Sequence, residues 1–248
     1  MMNQPDTNPS EIADFASRVL ALRQRIDEAA TRADRDPERV TLMAITKTVA
    51  PDRVRAAWQA GLTVFGENRV QEAQNKIAAA ALPGEARWEM VGHLQSNKAA
   101  RAIGLFSRIQ SVDSIHLAAT LDERAAALDI TMPVLLEVNV GGEPAKTGFA
   151  PEQLTQKLST LVQFSHLRVE GLMTVAPVVT VPEEARPWFV RMRLLRDTLR
   201  GILPARSSVT LDVLSMGMSD DFEVAIEEGA TVVRLGRALF GARPPVPR

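Results

Sequence analysis

Eight short apolar runs, each followed by a stretch with helical patterning, recur along this sequence, and that alternation restricts the fold more than any other feature. The runs are Thr41 to Thr46, Thr63 to Gly66, Trp88 to Gly92, Arg108 to Val112, Pro133 to Asn139, Leu167 to Leu172, Leu211 to Leu214 and Thr231 to Leu235. Short apolar runs bounded by turn signals read as strands buried on both faces. Between them the spacing predicts helices over Pro51–Ala60, Arg69–Ala81, Ser96 or Asn97 to Ile103, Asp113 or Ser114 to Leu128, Pro151–Gln163, Pro182–Leu203 and Asp220–Glu228, with a last one opening at Arg237. Eight such units over about 200 residues have the period of an α/β fold of the (β/α)8 TIM-barrel class. A doubly wound open sheet shares that period, because strand order is not written in periodicity.

An additional helix precedes the first strand. Ser10 reads as its cap, Ile12, Phe15, Val19, Leu22 and Ile26 form its apolar stripe, and it ends near Arg32. Residues 1–10, polar with two prolines, read as a disordered lead-in, and residues 11–243 as a single barrel domain.

The composition excludes several kinds of chemistry. There are no cysteines, so disulfides, thiolate nucleophiles and Cys-ligated metals are ruled out. Of the three histidines, His93, His116 and His166, no two stand at a metal-ligand spacing. The formal charge of -1 offers no global attraction for nucleic acid or an anionic membrane. No apolar run approaches the roughly 18 residues of a membrane span, and the N-terminus lacks signal-peptide character, so the expected location is cytoplasmic.

In a barrel the strand C-termini form the working face. At those positions stand Lys47 and Thr48, then Glu67 and Asn68, then His93 and Gln95, then Ser111 and Asp113, then Asn139, then Met173 and Thr174. The series closes with Ser215-Met216-Gly217-Met218-Ser219 and Arg234-Leu235-Gly236-Arg237. Lys47 is the first charged residue after a buried strand, and apolar surroundings favour the free amine that an imine with an aldehyde requires. Small residues where the last two helices open expose backbone N–H groups, so the turns after strands 7 and 8 read as a phosphate cup. A lysine and a phosphate cup at one end of the array point to a phosphorylated aldehyde, and pyridoxal 5′-phosphate fits both. Each feature alone has a plainer reading: Lys47 as a solvated surface residue, Ser215 to Ser219 as a helix cap, and Arg234 as a rim residue paired with Glu170. The methionines would be core filling. Their coincidence at one end favours a site.

The segments AITKTVAPDRV, FGENRVQEAQNK, VGHLQSNK, VNVGGEPAKTGF, GLMTVAP, SMGMSDDFEVAI and VRLGRALFG occur in that order between Ile12 and Arg243. Together they resemble the successive signatures of the pyridoxal phosphate homeostasis protein family, which is similar to the N-terminal barrel domain of alanine racemase. The resemblance implies a barrel that binds pyridoxal phosphate as a covalent imine to Lys47. It implies that the phosphate is held by the turns at Ser215, Met216, Gly217 and Ser219 and at Gly236 and Arg237, with Arg234 near the pyridine nitrogen. Asn68, His93, Asn139 and Met173 match the pocket lining. Arg237 departs from the Thr or Ser that many members carry, Glu89 stands where the third strand often has histidine, and Gly141-Gly142 shortens the loop side chains after the fifth strand.

An arginine at the pyridine nitrogen opposes its protonation and weakens the ring as an electron sink. Racemisation wants two bases. In the alanine racemases the second is a tyrosine from another domain, and this chain has no tyrosine. The expected role is therefore buffering or delivery of the cofactor within pyridoxal phosphate homeostasis, with no catalytic residues assigned. The alternatives are a single-domain racemase or lyase using Lys47 as base, and a Schiff-base aldolase on the same scaffold. The expected partners are pyridoxal phosphate and the apo-enzymes that use it, with no nucleic acid, metal or membrane, in a monomer or weak homodimer.

Overall fold

The computed structural model describes residues 8–204 and 208–242. Strands β1 Thr41–Ile45, β2 Val64–Glu67, β3 Arg87–Met90, β4 Arg108–Val112, β5 Met132–Glu137, β6 Leu167–Met173, β7 Val209–Ser215 and β8 Val232–Leu235 pair in that order. All pairs are parallel, and β8 returns to β1 through Thr41 opposite Val232, closing the barrel. Closure excludes the doubly wound open sheet.

Helices α1 Pro9–Arg32, α2 Pro51–Gln59, α3 Val70–Ala80, α4 Ala99–Ile103, α5 Ile115–Ala126, α6 Pro151–Leu161, α7 Arg186–Ile202, α8 Phe222–Glu227 and α9 Arg237–Phe240 cover the sheet. Several expected boundaries move for identifiable reasons. The cap of α1 is Asn8, whose Oδ1 accepts the Ser10 N–H at 3.0 Å, so Ser10 already lies inside the helix. Neither Ser96 nor Asn97 caps α4: residues Ser96–Lys98 form a 3₁₀ turn instead. The long helix expected from Pro182 is a 3₁₀ turn, Pro182–Ala185, leading into α7. At α5 the cap is Ser114, which accepts the Leu117 N–H. Of the lead-in expected over residues 1–10, residues 1–7 lie outside the described residues, as does Arg243, the expected end of the barrel.

The apolar stripe of α1, with Phe15, Val19, Leu22 and Ile26 buried, lies across α2, α8 and α9. Phe15 meets Phe240 edge-on at 5.4 Å between centroids, and Arg25 and Arg32 pair with Glu223 and Glu227. The main apolar core fills the layer between strands and helices. Inside the barrel a smaller cluster, Met43, Val64 and Val232, packs with Ile45, Val91 and Val213.

Polar side chains also meet across the barrel interior. Ser215 Oγ donates to Gln110 Oε1 at 2.6 Å although β4 and β7 are not neighbours, so the bond crosses the interior. Gln110 Nε2 donates to Glu89 Oε2 at 2.7 Å, and Arg108 pairs with Glu89 at 3.0 Å and Glu170 at 3.3 Å. Each member is buried or nearly so, and such groups are tolerated only when hydrogen-bonded to one another.

Candidate functional site

At the C-terminal end of the barrel, strand alternation carries Met43 and Ile45 inward and brings Lys47 to the rim just beyond β1. Lys47 is half-buried and lines a depression of about 240 Å³ with Ile45, Thr48, Gly236, Arg237 and Phe240. The turns after β7 and β8 meet directly beside it. Ser219 Oγ accepts the Ala238 N–H at 3.2 Å, the Gly217 carbonyl accepts the Arg234 N–H at 3.0 Å, and Arg237 forms an ion pair with Asp220.

Gly217 explains how the first of these turns is made. Its φ of +91° lies in the region open chiefly to glycine, and an added Cβ would sit 2.6 Å from the Ala225 Cβ and 3.0 Å from the Phe222 Cα. Asp221 braces the same turn, its Oδ1 accepting the Met218 N–H at 2.6 Å. Burial pushes the Asp221 carboxyl up, against that hydrogen bond and the charge of Arg234.

Arg234, two residues before Gly236 in β8, is buried in the barrel. It is 5% exposed and donates to the Ser215 carbonyl and Oγ at 2.7 and 2.8 Å and to the Thr174 carbonyl at 2.6 Å. It therefore does not pair with Glu170, which is taken by Arg108 and Arg168. Burial lowers its pKa to about 10, with Asp221 and Glu137 acting in the opposite direction. Glu137 is itself pushed up by burial, and its Oε2 is buried with no hydrogen-bond partner.

The remaining predicted residues do not line this depression. Asn68 and His93 border a separate depression of about 270 Å³ that shares no lining residue with the first, and the backbone of Gly92 lies so close to Asn68 that a Cβ there would fall 2.4 Å from the Asn68 carbonyl oxygen. His93 Nδ1 lies 3.0 Å from Asp113 Oδ2, and both also line a cleft of about 420 Å³ with Thr147. Asn139 is engaged by its own loop: Nδ2 donates to the Glu143 and Lys146 carbonyls and Oδ1 accepts the Glu143 N–H. Met173 and Met216 are buried, while Met218 is 37% exposed. The structure thus groups Lys47, Gly236 and Arg237 in one depression, and hydrogen bonds join Ser215, Gly217 and Ser219 to β8 and the turn after it through Arg234 and Ala238. Asn68 and His93 lie in a different depression.

Four polar residues that motif reading does not single out contribute to this end: Glu72, Lys76, Gln110 and Glu137. Only Glu72 and Lys76 leave a trace in the sequence, as an i, i+4 pair of opposite charge on α3. Among the described residues no cluster of His, Cys, Asp and Glu could hold a metal ion, and no helix is long and apolar enough to cross a membrane.

The sequence profile of the alanine racemase N-terminal domain matches residues 18–244. The pyridoxal phosphate homeostasis protein of Aquifex aeolicus is 44% identical over 227 residues, 92% of this chain and 96% of that protein. That of Pseudomonas aeruginosa is 44% identical over 236 residues, covering 94% and 96%. PipY of Synechococcus elongatus, solved with pyridoxal phosphate bound, superposes with a TM-score of 0.79 at 36% identity, covering 92% of this chain and all of that one. On this sequence and fold evidence, the chain belongs to the pyridoxal phosphate homeostasis protein family, built on the barrel of the alanine racemase N-terminal domain.

Proposed function

We propose that this protein binds pyridoxal 5′-phosphate at the C-terminal end of its barrel, acting in the cytoplasm as a reversible carrier that buffers or delivers the cofactor. The observation that carries this reading is the shared depression of Lys47, Gly236 and Arg237, placed beside two turns joined through Ser219 and Ala238. The residues fit the cofactor chemically. A lysine amine can condense with the aldehyde, losing one water to form an imine. Gly217, at a φ of +91°, permits the left-handed turn after β7, and turns of this kind can offer backbone N–H groups to a phosphate.

In this reading Lys47 holds the aldehyde carbon, and the turns at Ser215 to Ser219 and at Gly236-Arg237 hold the phosphate. Arg237, already next to Asp220, brings a cation where many relatives have a hydroxyl. Arg234 is a buried cation at the end of β8, held by three hydrogen bonds. A cation beside the ring nitrogen opposes its protonation, and bound pyridoxal phosphate supplies carbanion stabilisation only weakly without that proton. This favours holding the cofactor over turning over an amino acid.

The absorption spectrum of the purified protein with added pyridoxal phosphate tests the reading. The native protein should develop an imine band, and Lys47→Ala should lose it while retaining weaker binding through the phosphate. A band that survives in Lys47→Ala refutes the assignment. Deuterium exchange at Cα of amino acids in heavy water, at enzyme-like rates and dependent on Lys47, would replace the carrier with a racemase or lyase.

A further inference from the structure

Charged side chains from the next β/α unit hold the backbone on either side of Lys47. Lys76, on α3 and 6% exposed, donates from Nζ to the Thr46 carbonyl, to Glu67 Oε1 at 2.6 Å and to Glu72 Oε1 at 3.0 Å. Glu67 is fully buried, and its Oε1 also accepts the Thr46 hydroxyl at 2.5 Å. Glu72 Oε1 accepts the Thr48 N–H at 2.7 Å. The residues before and after Lys47 are thus tied to one group of three charges, in which Glu67 and Lys76 are buried and Glu72 is partly exposed.

Two unfavourable arrangements coincide here. Thr48 has a φ of +65°, a left-handed conformation that a β-branched residue adopts only when its surroundings impose it. A buried ammonium with a buried carboxylate is, in turn, a poor substitute for apolar packing in stability alone. A βα turn needs neither, since glycine or asparagine enters the left-handed region without a clamp. Both occur where the chain presents its candidate amine, and strained backbone held by its surroundings is characteristic of such sites.

We propose that Lys76 and Glu72, with Glu67 fixing Lys76, are positioning residues that set the backbone on both sides of Lys47 and so the direction in which its amine meets the aldehyde. The inference rests on the reading of Lys47 as the imine-forming residue. Lys76 orients the Thr46 carbonyl, and Glu72 holds the Thr48 N–H and with it the left-handed turn. The amine between them inherits its direction from both ends, and a small misplacement of a reacting group has a large effect on rate.

The test follows imine absorbance after mixing with pyridoxal phosphate, across a range of pH, for the native protein, Glu72→Ala, Glu72→Gln and Lys47→Ala. Glu72→Ala leaves Lys76 its bond to Glu67 but frees the Thr48 N–H. It should form the band about tenfold more slowly or worse and shift the band's pH midpoint. Glu72→Gln keeps an oxygen acceptor for the Thr48 N–H and should recover most of the rate. A native rate and native midpoint in folded Glu72→Ala overturn the proposal, as does a lowered melting temperature with neither spectroscopic change. If Glu72→Ala does not fold, Glu72→Asp, one methylene shorter, is read by the same criteria. A band that survives in Lys47→Ala overturns the lysine assignment and the clamp together. Loss of the band in Lys47→Ala alongside a native Glu72→Ala overturns the clamp alone.

Discussion

Replacing Gly217 by alanine probes the turn after β7 more sharply than any change of a polar residue. The new methyl group would stand 2.6 Å from the Ala225 Cβ and 3.0 Å from the Phe222 Cα, and neither atom can rotate away because both belong to the framework of α8. Overpacking of this kind costs about 1–3 kcal/mol. The φ of +91° adds the strain of a left-handed alanine, about 1–2 kcal/mol. Together these lower stability by about 2–5 kcal/mol, which for a chain of this size corresponds to a melting point reduced by roughly 4–20 °C. Thermal and urea unfolding followed by circular dichroism measure the first quantity. Titration with pyridoxal phosphate, at a temperature where the variant is folded, measures the second, and retention should fall as well. A loss below about 1 kcal/mol would refute the crowding argument. Normal retention in a destabilised variant would remove the phosphate from this turn.

Two further outcomes test the interior. Ser215→Ala deletes the donor to Gln110 and one acceptor of Arg234, so it should cost about 1–3 kcal/mol in urea unfolding; a neutral result would mean that the chain of bonds across the barrel does not form. Glu137→Gln should give a pH-dependent gain. Burial raises the Glu137 pKa above 4.5, so the folded state takes up its proton at higher pH than the unfolded chain. The cost of burying the charge is therefore full above the folded pKa and is lost as pH falls toward 4.5. Glu137→Gln should be more stable than the native protein at pH 8, with the difference shrinking as pH falls toward 5; a constant difference in urea titrations would refute the assignment.

The sequence reading succeeds where the signal is local and repeated. Leu42, Met43 and Ala44 in β1, or Val134, Leu135 and Leu136 in β5, are apolar in succession because a parallel strand is covered on both faces, and such runs can be counted without knowing what covers them. Glycines and prolines between the runs mark the breaks. The strand C-termini from which the candidate site is drawn are legible for the same reason, since a barrel gathers them at one end whatever their identity. Helix starts are less legible. Asn8 displaced Ser10 as a cap by two residues, and at Ser96 a tight 3₁₀ turn took the place of a capped start, because backbone geometry and not residue type chose between adjacent polar candidates.

What the sequence by itself determined is the order of strands and helices, the chemistry available at the rim, and the absence of thiol and of any tyrosine. Only the tertiary structure decided which polar residues face inward and which of them meet. Ser215 and Gln110 stand 105 positions apart and touch because the barrel closes. Lys76, an ordinary surface lysine by its sequence context, is buried because α3 packs against β2 and brings its ammonium to Glu67 and the Thr46 carbonyl. Closure turns strand alternation into an interior, and hydrogen-bond partners across that interior follow from three-dimensional packing, which no local pattern encodes. Lys47 was visible as a lysine after a strand; the clamp around it was not.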